Sequence, residues 1–355
     1  MPSAPLCVCR SRPSLLLRSR ASPGAGPKAP TGYGGCEDYE WPLAARGTEA
    51  GPTLGPLMPL DRVVLKNVRA IGNADITVGD VTVLVGPNGI GKTTVLNRIA
   101  QALANGTMPE GESKLFVGNV ELTSRHGNSA MLPQTSFTEL PGTAYLQVAP
   151  YVLRLPSAIA SGTPLLRPQG EGLAGAVSRA ILEWPERHEA IQRDLRTIIP
   201  DFRGLRSAPN NGSFHLRFDF AQVKDVGQQE VSTGTLAALA ILLLAHCERP
   251  AERQGFIALL DDPETGLHPG AQEELARRLL DLAQATGIQI VMATHSPYIV
   301  DAVDPARVWV FGRRPDGLSE ARRLTDHPDA ARSLHILSAG EFWGSSGEAW
   351  VIGTP

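Results

Sequence analysis

Cysteine is scarce and badly placed for cross-linking. Of four in 355 residues, Cys7, Cys9 and Cys36 crowd the N-terminal stretch and only Cys247 stands in later apolar sequence. That excludes a disulfide framework and suits a reducing, cytoplasmic setting. Long hydrophobic runs are missing too: the most apolar one, Leu236 to Ala245, falls well short of the roughly 20 residues a membrane-crossing helix needs. No membrane association is expected. A net charge of −3 gives no whole-chain signature of nucleic-acid binding, although a local basic groove is compatible with that total. Zinc-ligand spacings, an HNH pattern and a toprim-like acidic cluster are all absent, so any nuclease chemistry would belong to another chain.

What is present is apolar sequence, 42% of the chain, enough for a substantial core in one large domain or two ordinary ones. Residues 1–57 stand apart. They are rich in Pro, Gly, Ala, Ser and Arg without sustained periodicity, and cannot bury enough apolar surface to offset the entropy of ordering. They read either as a disordered extension or as the product of a misassigned start codon, since folded patterning begins just after Met58. Leu15 to Leu17, flanked by Arg12 and Arg18, imitates a signal peptide but is too short for a secretory core.

The stretch that organises the rest is VTVLVGPNGIGKTT, Val81 to Thr94. A β-branched strand runs into Gly86, Pro87, Asn88, Gly89, Ile90, Gly91, Lys92 and Thr93, which satisfy the GxxxxGK[ST] spacing; Thr94 follows, and Val95, Leu96, Ile99 and Ala100 continue as a helix. Glycines let backbone N–H groups converge on phosphate oxygens without Cβ clashes, and the helix adds its positive N-terminal end. Lys92 can reach the outer phosphates of a nucleotide, and the Thr93 hydroxyl can ligate Mg²⁺.

Before this loop, Val63, Leu65 and Val68, then Ile76 and Val78, then Val81, Val83 and Val85 alternate as three short strands, with turns expected at Gly72–Asn73 and Gly79–Asp80. Residues 105–170 read as loop-rich, with brief apolar runs at Lys114–Val117 and Tyr145–Leu155. Residues 171–199 show helical spacing broken by Pro185, and Phe214, Leu216, Phe218 and Phe220 form the inner face of a half-buried strand. Core packing explains that phenylalanine stripe better than base stacking.

Gly227 to Ala245 is a small polar turn followed by an apolar helix, where Ser232 or Thr233 can cap the helix and also offer donors to a phosphate. Phe256 to Leu260 is a buried strand ending in Asp261, Asp262, Pro263 and Glu264, carboxylates well placed for Mg²⁺ and water in an α/β nucleotide fold. Pro269 and Gly287 bound a helix carrying Leu275, Leu279 and Leu282. Ile288 to Ala293 is the next strand, with His295 at its end, and Arg307 to Phe311 is one more. The remainder to Pro355 is weakly patterned, and Trp343 and Trp350 read as packing residues.

Four motifs in order, GPNGIGKTT, VSTGT, FIALLDDPETGLHP and VMATHSP, make residues 60–312 resemble ABC-type ATPases of the RecF, SMC and OLD group, especially the compact bacterial AAA-domain ATPases. The resemblance implies an α/β P-loop NTPase with an ABC-type head over residues 58–355, built on a mixed sheet, with residues 105–230 inserted as a mostly helical lid. It implies that Lys92 and Thr93 hold phosphate and Mg²⁺, that Asp261 is a metal ligand, and that His295 senses the outer phosphate. Ser232 and Gly234 would close over ATP held by a second protomer in a head-to-tail homodimer. The usual catalytic glutamate is replaced by Asp262, one methylene shorter, with Glu264 in reserve; Gln147 stands where a glutamine contacting the site is expected.

By that resemblance the chain is a slow, Mg²⁺-dependent ATPase whose dimerisation controls a partner in DNA repair or phage defence. The alternative is an ATP-gated binding module with little hydrolysis, controlling a separate nuclease, with DNA as a further candidate ligand. A transporter subunit fits the PETGLHP and ATHSP segments least.

Overall fold

Alternation sets the first strands. β1 (Leu60–Val68) buries Leu60, Val63, Leu65 and Val68 while exposing Arg62 and Lys66; β2 (Ile71–Thr77) pairs with it, and β3 (Val81–Val85) is buried throughout. The first turn lies at Arg69–Ala70, not at Gly72–Asn73. Asn73 pairs with Lys66 inside the hairpin, and Asn67 and Arg69 take the left-handed backbone (φ 53° and 51°) that carries the chain round. The computed structural model describes residues 58–105, 112–118, 120–125, 128–129, 140–159, 165–247 and 255–353. Residues 1–57, and with them the choice between an extension and a misassigned start, lie outside the described residues.

Next come α1 (Lys92–Asn105), β4 (Glu112–Val117), β5 (Val120–Arg125), β6 (Asn128–Ser129) and β7 (Gly142–Gln147). A 3₁₀ turn at Val152–Arg154 precedes α2 (Leu173–Glu183) and α3 (Pro185–Ile198), which the proline separates as expected. They are followed by β8 (Phe202–Asn210), β9 (Ser213–Phe220), β10 (Val226–Gly227), α4 (Thr233–Cys247), β11 (Phe256–Asp261), α5 (Pro269–Thr286) and β12 (Gln289–Thr294). The chain ends with α6 (Pro297–Asp301), β13 (Val308–Arg313), β14 (Ser319–Arg323), α7 (Ala330–Ser333) and α8 (Ala339–Ser346).

Among the described residues the main sheet has eleven strands in the order β6-β5-β4-β1-β2-β14-β13-β3-β12-β11-β7. One half, β13 through β7, is parallel around β3; the other half is largely antiparallel. The fold is therefore α/β with a mixed sheet, and the loop with the GxxxxGK[ST] spacing joins its central parallel strand, β3, to α1. Residues 105–230 are less helical than expected: β4 to β7 join the main sheet, and α2 and α3 are followed by a second sheet, β10-β9-β8. The sequence after Phe311 is better ordered than its pattern suggests, because Ser319–Arg323 pairs back on β13 through a tight hairpin.

The central strands bury both faces, so odd and even residues feed two cores. Val81, Val83 and Val85 of β3 face the core holding α4 and α5, whereas Leu84 faces that of α1 and the antiparallel strands. Helix α4 is apolar and buried nearly all round, as a central helix must be. Register then places the site: Val85 pairs with Thr294, and Asp261 pairs with both Ala293 and Gln147. The carboxyl ends of β3, β12, β11 and β7 thus form one rim, the usual ligand position in parallel sheets.

Candidate functional site

Between β3 and α1 the loop curls tightly. Gly91 sits at φ 115°, and a Cβ there would meet the Ile71 side chain at 2.7 Å, so no other residue fits without movement. Lys92 folds over the loop, its Nζ donating to the Gly86 carbonyl (2.7 Å) and the Pro87 carbonyl (3.1 Å). It also donates to His295 Nε2 at 2.8 Å. Ala70, Asn88, Gly89, Ile90, Gly91, Lys92, Thr93, Thr94, Asp261, Asp262 and His295 share one cavity of about 160 Å³.

Asp261 is the node beneath this cradle. Its Oδ2 accepts from Thr93 Oγ1 (2.8 Å), Tyr145 OH (3.0 Å) and Gln147 Nε2 (3.1 Å). Burial pushes its carboxyl above the usual range, opposed by the Thr93 and Tyr145 hydroxyls. Burial likewise raises the Tyr145 phenol, with the Asp261 charge adding to it. A buried carboxylate with hydroxyl and amide oxygens beside a phosphate cradle is the hard oxygen set that suits Mg²⁺. No group of three or more His, Cys, Asp or Glu able to hold a metal occurs among the described residues, so phosphate oxygens would have to complete the shell.

Asp262 lies next along, at φ 50°, with its N–H bonded to the Ala293 carbonyl (2.9 Å). Aspartate tolerates this left-handed backbone better than most side chains. Glu264 turns the other way: its Oε1 accepts the His295 N–H at 2.7 Å, and Oε2 is sealed from solvent. Burial raises its carboxyl, so Glu264 fixes the His295 backbone rather than facing the cradle. Burial and then the Lys92 charge lower the His295 imidazole, which leaves a neutral ring whose Nε2 accepts from the ammonium. Burial also lowers Lys92.

Ser232 and Gly234 are not brought to this cradle. Ser232 caps α4, its Oγ accepting the Thr235 N–H (3.1 Å). Gly234 abuts Gly266, where a Cβ would come within 2.2 Å of the carbonyl. Both line a separate cavity of about 870 Å³ with Gly266, Leu267 and His268. Sequence reasoning missed Tyr145, which appeared only as part of an apolar run. Its signal was strand alternation: Tyr145 and Gln147 lie two apart on β7 and point to the same face.

Residues 62–138 match a family described as an AAA domain. Residues 169–301 match one described as an AAA domain, putative AbiEii toxin, Type IV TA system. Two separate segments of the chain are thus similar to AAA-domain families. The two AAA matches bracket the cradle on one side and the carboxylate strand with His295 on the other. Among solved structures, the chain is similar to an SMC head domain from Thermotoga maritima, at 15% identity and a TM-score of 0.44, over 75% of this chain and 99% of that one. An SmcHead bound to the C-winged helix domain of ScpA gives 14% and 0.48, over 74% and 97%. A dimeric ATP-binding cassette in a post-hydrolysis state with ADP and Pi gives 15% and 0.42, over 75% and 97%. No curated protein matches the chain. Among the described residues no helix is long and apolar enough to cross a membrane.

Proposed function

We propose that this protein is a cytoplasmic, Mg²⁺-dependent ATPase in which two copies share each triphosphate. One observation carries the reading: Lys92, Thr93, Asp261, Asp262 and His295 line one cavity, while Ser232 and Gly234 line another. The cradle's cavity is smaller than the roughly 300–1,000 Å³ of enclosed ligand sites, so one chain leaves the nucleotide partly uncovered. A second copy presenting Ser232, the α4 N-terminus and Gly234 would cover it.

Each residue then has a task. Lys92, released from the Gly86 and Pro87 carbonyls, neutralises the outer phosphates, and the backbone N–H groups of the loop hold their oxygens. Thr93 and Asp261 would hold Mg²⁺, with Gln147 beside them, and the ion would supply neutralisation of the outer phosphates' charge. Asp262 orients the attacking water and takes its proton, and His295, bonded to Lys92, senses the outer phosphate. The short Asp262 side chain makes turnover slow.

Control of a partner follows as the output. Relatives described as a putative toxin of a Type IV system support a defence role over repair. A purely ATP-gated module with a separate nuclease draws support from the shortened Asp262. DNA contact draws none from the outer face of β1, β2 and β4, where Arg62 pairs with Asp75 and Lys114 with Glu121. The test is specific ATPase activity against protein concentration, with sedimentation in ATP and Mg²⁺. A shared site requires activity that rises steeply with concentration alongside ATP-dependent dimer; constant specific activity from a monomer overturns it.

A further inference from the structure

The 3₁₀ turn after β7 belongs to neither cavity, yet it is bonded towards both. Gln147 ends β7 on Asp261, and its N–H is fixed to the Pro168 carbonyl (2.7 Å). Seven residues later, Arg154 reaches across to the loop before α4. Its Nη1 donates to the Val231 carbonyl (2.6 Å) and the Gln229 carbonyl (3.2 Å), and its Nη2 donates to Thr233 Oγ1 (3.0 Å). One planar guanidinium therefore grips both neighbours of Ser232.

A second strap lies beside it. Gln228, 3% exposed, donates from Nε2 to the carbonyls of Leu153 (2.8 Å) and Leu155 (2.9 Å), while its Oε1 accepts the Leu216 N–H (3.0 Å). The stretch between is stiffened by the Val152 and Leu153 N–H groups, which both bond to the Ala149 carbonyl. A displacement at Gln147 would thus pass through a short, internally bonded turn to the backbone that carries Ser232.

We propose that Arg154 is a positioning residue that couples Gln147, at a chain's own Asp261, to Ser232, which that chain presents to its partner. The proposal rests on the shared-site reading above. Occupancy of one cradle then sets the orientation of the Ser232 loop offered to the other. Only arginine has the fork that spans Val231, Gln229 and Thr233 together, and lysine, with a single nitrogen, cannot hold all three.

The experiment is a double-mutant cycle on the full chain: wild type, Gln147→Ala, Arg154→Ala and the double variant, with Arg154→Lys as a milder companion. ATP binding is read by equilibrium titration, dimerisation by sedimentation, and turnover by phosphate release. Arg154→Ala is expected to bind ATP within about twofold of wild type but to lose about tenfold in dimerisation and turnover, with Arg154→Lys between the two. Coupling requires the double variant to be no worse than the weaker single variant, and cooperativity in ATP to disappear in both singles. Losses that multiply independently in folded, dimerising protein overturn the coupling. A monomeric wild type that hydrolyses ATP at full rate instead overturns the shared site beneath it.

Discussion

Lys92 Nζ lies 2.8 Å from His295 Nε2, so the cradle's cation and the neutral imidazole are held as donor and acceptor. Burial and the adjacent ammonium lower the His295 value from the usual 6.5. The folded protein therefore binds fewer protons than the unfolded chain as pH drops past 6.5. This contribution to stability is complete above that pH and is lost as pH falls through the lower folded value. The melting temperature of wild type should drop on acidification across this window more steeply than that of His295→Ala. Equal slopes would show that the imidazole is not held neutral.

Glu264 behaves with the opposite sign. Its folded value is raised above the usual 4.5 by burial, so its contribution is complete below that pH and lost as pH rises through the folded value. Glu264→Gln, which keeps an acceptor for the His295 N–H, should melt higher than wild type near neutrality, with the gap closing in acid. Glu264→Ala leaves that N–H without its acceptor and should cost about 1–3 kcal/mol in acid, where the wild-type carboxyl is neutral, and less as pH rises through the folded value. Thermal denaturation of both variants separates the charge from the hydrogen bond.

Asp262 is the proposed base, and its amide should be inert. Asp262→Asn is expected to lose turnover by about 10²–10⁴-fold while still binding ATP. Asp262→Glu should turn over faster than wild type because the longer side chain reaches further, and should melt lower because glutamate fits φ 50° less well. Steady-state phosphate release with a thermal scan checks both; slower turnover in Asp262→Glu would remove the reach argument.

Gly234 touches Gly266 too closely for any side chain. Gly234→Ala should push the Ser232 loop from the turn after Asp262, weakening dimerisation more than ATP binding. Equal losses in both would place the effect in general folding.

Much of this was legible because phosphate chemistry demands particular residues at fixed spacing. Lys92 and Thr93 after β3, Asp261 at the end of β11 and His295 after β12 follow strongly patterned strands, and the register of β3, β12 and β11 brings those ends together. Gln147 was harder to place: its neighbours carry no motif, and only the parallel pairing of β7 with β11 sets it on Asp261. Tyr145 was hidden because a phenol on an apolar strand looks like core. The Arg69–Ala70 turn was misplaced because left-handed Asn67 and Arg69, not the nearby Gly72, bend the chain. The mostly helical lid over residues 105–230 was implied by the resemblance alone; the residues themselves read as loop-rich over 105–170, because the short strands that join the main sheet there have no period of their own.

Mixing two inactive variants tests the shared triphosphate most directly. Lys92→Ala should bind no ATP, and Ser232→Arg should bind it without turning it over. A mixed dimer contains one intact pair, the cradle from the second variant and the Ser232 loop from the first. Equimolar mixing should restore activity, to at most about a quarter of wild type if partners exchange freely in a two-fold dimer, and to less where the empty Lys92→Ala cradle weakens the Ser232 loop beside it. A mixture as inactive as its components, from variants shown to be folded and exchanging, would contradict the shared site.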